Sequence, residues 1–87
     1  MSETNYIELI NELYNIGKLN YFLVALISAD SVIDIKTCDN SIIMLQKCID
    51  ALPYTNIGSD EQEKLIEYCK SGIEICEQTK KELLNIS

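Results

Sequence analysis

Four cysteines, at positions 38, 48, 69 and 76, are the most chemically versatile side chains in this 87-residue chain. Thiols serve as nucleophiles, disulfide partners or metal ligands. There is no C-x-x-C pair, so neither a zinc ribbon nor a thioredoxin-like motif is supported. Cys38 and Cys48 have the x9 spacing of twin-cysteine helical hairpins, but Cys69 and Cys76 are spaced x6, which breaks that motif. Cys69 and Cys76 fall on one expected helix, about 10 Å apart along its axis, too far to bond to each other. The reading that remains is four small buried hydrophobes in a reducing compartment.

The rest of the chemical inventory is defined by absences. There is no histidine, arginine or tryptophan, and all seven cations are lysines. Without His the chain lacks the commonest general base and metal ligand, and without Arg it lacks bidentate recognition of phosphate. Gly17, Gly58 and Gly72 are isolated, so no phosphate-cradling loop exists. Asp30, Asp34 and Asp39 are wrongly spaced for a calcium loop. Catalysis would have to rest on Cys, Lys, Tyr or carboxylates. The expectation is a chain with no enzymatic activity, no cofactor and no metal.

The net charge of −7 disfavours direct nucleic-acid binding and anionic membrane surfaces, since both are recognised mainly through Lys and Arg. It suits a basic protein partner or mimicry of nucleic acid, and on its own it also keeps a small protein soluble.

These residues are carried by a chain of the size of one domain, residues 1–87. Its most apolar stretch, Leu19 to Ile35, has aliphatic residues at spacings of three and four, with Asp30 and Asp34 sharing the opposite face. This predicts a central helix, about 18 to 35, against which the rest packs. The uninterrupted apolar run is about half of the roughly 20 residues a membrane span needs. No basic region precedes it, so a signal peptide is not expected and a cytoplasmic location is.

Before it, a helix from about Asn5 to Ile16 has the apolar face Tyr6, Leu9, Ile10, Leu13 and Ile16, with Asn5 and Glu8 at capping-box spacing. Gly17 is placed to break the chain between the two helices, although the apolar pattern stays in phase through it. After the central helix, Lys36 to Asn40 reads as a turn, because Thr37, Asp39 and Asn40 are turn residues. A third helix runs from about Ser41 to Leu52, with Ile42, Leu45, Cys48, Ile49 and Leu52 inward, and Pro53 stops it. Ser59 and Gln62 form the second capping box, opening a last helix over about 60 to 85 with the seam Gln62, Ile66, Cys69, Ile73, Cys76, Lys80, Leu83. Asp60 with Lys64 and Glu77 with Lys81 are favourable i,i+4 pairs. The expected fold is all-α: a small antiparallel bundle of four helices, or three if the first two are continuous.

Off the last helix's seam lie Tyr68 and Ile75, rimmed by Glu67 and Glu74, with Gly72 between seam and patch. Packing on two sides within the bundle would explain this patch, and so would a ridge that binds a protein partner.

The stretch Pro53-Tyr54-Thr55-Asn56-Ile57 followed by Ser59-Asp60-Glu61-Gln62-Glu63-Lys64-Leu65-Ile66 resembles the link into the last helix of class IIa (pediocin-like) bacteriocin immunity proteins. Glu12-Leu13-Tyr14-Asn15 is similar to that family's first helix. The resemblance covers about a quarter of the chain. It implies a small cytosolic four-helix bundle that protects a producer cell, acting at the sugar-phosphotransferase membrane receptor which the bacteriocin targets. The family is commonly more basic and has a trailing C-terminal tail where this sequence ends with its helix; that tail and the last helix are where the family is thought to carry specificity.

Two function classes follow. One is a non-enzymatic protein-binding factor, an immunity protein or small inhibitor that occupies a partner's surface. The other is a self-associating structural or adaptor subunit, a homodimer included. A carrier of an apolar ligand inside the bundle stays open as a third.

Overall fold

The computed structural model describes residues 5–27 and 34–86. Among them the chain forms four α-helices and no strand: α1 (Tyr6–Asn15), α2 (Leu19–Ile27), α3 (Ile35–Ala51) and α4 (Ser59–Ile86), with a 3-10 turn at Leu52–Tyr54 before α4. The fold is the expected small antiparallel all-α bundle.

Local chemistry sets most boundaries. The Asn5 side chain accepts a hydrogen bond from the Glu8 amide at 3.2 Å, satisfying one of the free donors at the start of α1. At the other end Gly17 adopts φ +71°, a conformation that side-chain-bearing residues rarely take. Its amide donates to the Tyr14 carbonyl and that of Lys18 to the Leu13 carbonyl, at 3.1 and 2.8 Å. This is a Schellman closure, and it makes α1 and α2 two helices instead of one.

The segment between α2 and α3 departs from expectation. Asp34 does not extend the second helix. It is the N-cap of α3, its carboxylate accepting from the Thr37 amide at 2.7 Å. Residues 36–40, read from their polar side chains as a turn, are the first turns of α3. Asx and Thr residues favour caps and turns for the same reason, their short acceptors competing for backbone amides, so composition alone does not separate the two. Asp30, expected to share a helix face with Asp34, lies outside the described residues.

Pro53 ends α3 in the 3-10 turn, where the Thr55 hydroxyl and amide both donate to the Leu52 carbonyl. The Asn56 amide donates to the Asn11 side chain at 2.9 Å, tying this loop to α1. At the start of α4 the expected capping box is absent: Ser59 is already helical, and Gln62 Nε2 donates backward to the Ile57 carbonyl at 2.8 Å. Gln62 therefore holds the loop against the helix.

The most extensive packing is between α3 and α4, not around α2. The inward face of α3 is Cys38, Ser41, Leu45, Cys48 and Ala51; that of α4 is Leu65, Cys69, Gly72 and Cys76. These are mostly small side chains, and they let two backbones approach closely. The cysteines are buried and unbridged, as expected of small hydrophobes. Ile10, Leu19, Leu23, Leu52 and Ile57 complete the core.

Three details of the helix faces are corrected. Ile16, expected inward, is exposed because the chain turns at Gly17. Leu65 and Gly72 lie in the α4 seam itself, while Ile66 and Ile73 flank it. Among the described residues the one ion pair crosses between helices, Lys80 to Asp39 at 2.7 Å, in place of the i,i+4 pairs within α4.

Candidate interaction surface

The α2 helix carries more apolar surface than the bundle covers. Leu19 and Leu23 are buried and Phe22, Leu26 and Ile27 are half-buried, yet Tyr21 is 71% and Val24 44% exposed. A helix with so wide an apolar arc was expected to be touched on several sides at the centre of the bundle; instead α2 lies on the flank of the α3–α4 pair and keeps Tyr21 and Val24 to solvent. Lys18 Nζ sits 5.0 Å from the centre of the Tyr21 ring and covers part of its face.

Between α2 and α4 this exposed side forms a shallow groove of about 340 Å³, lined by Asn20, Val24, Glu61, Lys64, Leu65 and Tyr68. A smaller depression of about 120 Å³ shares Asn20, Glu61 and Leu65 with it and extends toward Tyr14 and Gly17. The Schellman turn at Gly17 therefore fixes one end of the groove, and the tight seam at Leu65 its floor.

Of the four residues that the sequence singled out, all lie on exposed positions of α4. Tyr68 opens onto the groove and faces the Val24 side of α2. Ile75 and Glu74 sit in a separate shallow depression with Ser71, Gln78 and Thr79, about two turns further along. Glu67 belongs to an acidic hollow with Asp60, Glu63 and Lys64, which adjoins the groove through Lys64. The four thus follow one side of α4 without converging on one pocket. Sequence reasoning missed Val24, Tyr21 and Asn20, because α2 was expected at the centre of the bundle. The signal available was the breadth of the apolar arc on α2.

The two most deeply buried thiols, Cys48 and Cys69, are set against nucleophilic chemistry. Burial pushes Cys48 up to about 12, with the neighbouring Cys69 adding to the effect, and pushes Cys69 up to about 11. Burial also raises Tyr6, next to Cys48. Among the described residues no group of three or more Cys, Asp or Glu side chains is arranged to hold a metal ion. No helix among them is long and apolar enough to cross a membrane. No protein-family model matches this chain, and no curated protein and no solved structure matches it.

Proposed function

We propose that this chain is a non-enzymatic protein-binding factor of the immunity or small-inhibitor type, acting in the cytoplasm by occupying the surface of a partner protein. The observation that carries this reading is the groove between α2 and α4, with Val24 and Tyr68 exposed beside Glu61 and Lys64, and the adjoining hollow where Asp60, Glu63 and Glu67 outnumber that one lysine. An apolar strip whose border holds more carboxylates than lysines, on a chain of net charge −7, fits a partner that presents apolar side chains among lysines or arginines. Ile75 and Glu74 extend the same side of α4 and would enlarge the contact. The resemblance of residues 53–66 to the pediocin-like immunity proteins agrees with this class, and the protected membrane receptor would then be the kind of partner sought.

A second reading, self-association, is favoured by one observation: the 71% exposure of Tyr21, an aromatic ring that a second copy could cover. Light scattering on the pure protein, run beside affinity capture from a low-GC Gram-positive lysate that includes membranes, separates the two. The binding-factor reading expects a small species that captures a defined partner in fixed ratio. Val24→Ala, Tyr68→Ala and Ile75→Ala should each weaken that capture. A large uniform oligomer that captures nothing would replace this reading with the structural subunit.

A further inference from the structure

The groove between α2 and α4 has two unlike walls. Asn20 and Glu61 line it together, Val24 stands across it from Tyr68, and Ile27 lies against Gly72 beyond its end. The two helices therefore run in the same direction, as alternate helices of an up-and-down bundle do. The α2 wall, Leu19–Ile27, holds no charged side chain and is preceded by Lys18. The α4 wall holds Glu61 in the groove and, on its outer edge, Asp60, Glu63 and Glu67 around the single Lys64. These side chains are exposed, and among the described residues none of the four carboxylates is in an ion pair.

Resting on the binding-factor reading above, we propose that the occupant of this groove is an amphipathic helix of the partner protein, with lysines or arginines along the flank that meets α4 and none along the flank that meets α2. The helical form follows from the walls. Both are helices whose backbone donors and acceptors are bonded within themselves, so no strand edge is offered to an extended segment. A segment that leaves water along an apolar strip must bring its own backbone hydrogen bonds, and a helix does so. Its apolar stripe covers Leu65 and packs between Val24 and Tyr68, the groove-in-helix arrangement read as anchors at i, i+4 and i+7.

The charges set the register. Asp60 and Glu67 stand about 10 Å apart along the α4 axis, which is two turns of the occupant as well. Its cations therefore fall seven residues apart, one facing the level of Asp60 and Glu61 and one the level of Glu67. Lys64 stands midway, opposite a neutral or acidic residue. The apolar stripe supplies most of the affinity, and the flank charges select the partner and exclude acidic helices.

The test begins with light scattering on the free chain, which should be a small species. The isotope-labelled chain is then titrated with three synthetic peptides of about 18 residues, enough for the two-turn contact with further turns at each end. The first is an alanine-based helix with a leucine stripe, lysines along one flank and glutamines along the other. The second has glutamates in place of the lysines, and the third is the first with two central prolines. Only the first should bind, gaining helicity and shifting the amides of Asn20, Val24, Leu65 and Tyr68. Glu61→Lys combined with Glu67→Lys, both at exposed positions, should keep the fold, weaken the first peptide about tenfold and admit the second in its place. Equal binding of the first and third peptides, shifts away from the groove, or no binding by a small species would overturn the helical occupant and leave the binding-factor reading to its capture experiment. A free chain that is already a large oligomer, with Tyr21 and Val24 buried between copies, would overturn that reading and this inference with it.

Discussion

Gly72 shows how much a missing methyl group can decide. A Cβ at this position would stand 2.5 and 2.6 Å from Cγ1 and Cδ1 of Ile27 and 3.3 Å from Cδ1 of Leu45. Glycine inside a helix is unfavourable by about 1 kcal/mol relative to alanine, so the substitution gains that much in helix propensity. Against this stands the overpacking of a filled site, about 1–3 kcal/mol. The second effect wins here, because the crowded atoms include Cγ1, near the root of the Ile27 side chain, where a small rotation gives little relief. Gly72→Ala should therefore lower unfolding free energy by about 1 kcal/mol, as read by urea denaturation. The loss should appear as faster amide exchange in α2, the element that must move. If the variant proves more stable, α2 yields freely and Ile27 is not seated on α4. The sequence placed Gly72 between the seam and the Tyr68–Ile75 patch. It could not reveal that the approaching residue is Ile27, because that contact depends on where α2 lies relative to α4.

At the scale of elements, the start of α3 is the place where identical local chemistry supports two structures. Asp34 caps the helix through Thr37, and this hydrogen bond, more than the nearby Lys36, holds the Asp34 carboxyl below its ordinary 3.8. The sign follows from the depression: the cap contributes fully above 3.8 and is lost as the pH falls through the lower folded-state value. Asp34→Ala should speed amide exchange at Thr37 and Cys38, whereas Asp34→Asn, which keeps an acceptor, should restore most of the protection. In the unaltered chain the Thr37 amide resonance should titrate below 3.8. An unchanged exchange rate in Asp34→Ala would show that tertiary packing alone holds the first turn.

This boundary also marks the limit of what the sequence made legible. Asn5, Gly17 and Pro53 each act through their own backbone or nearest neighbours, and each was readable. The assignment of 34–40 was not, since Asp, Thr and Asn serve a cap and a turn equally. The role of α2 was not readable either. A wide apolar arc says that a helix has surface to bury, not which part of it the bundle covers, and so Tyr68 was found while Val24, across the groove from it, was not.

For the whole molecule, the imbalance of charge gives opposite signs to folding and binding. Fourteen carboxylates against seven lysines repel one another in the compact state. Salt shortens the range of that repulsion, from about 10 Å at 0.1 M to about 3 Å at 1 M, so the melting temperature should rise with salt over this range. Contact between the carboxylate-bordered groove and a cationic partner draws on the same field with the opposite sign, and its capture should weaken over the same range. Self-association behaves like folding in this respect, because two copies of net charge −7 repel until the repulsion is screened. One salt series, read by melting temperature, light scattering and partner capture, therefore discriminates between the two functional readings without any substitution. Capture that falls as stability rises supports a binding factor with a basic partner. Growth in particle mass alongside stability moves the assignment to a self-associating subunit, with Tyr21 and Val24 buried between copies.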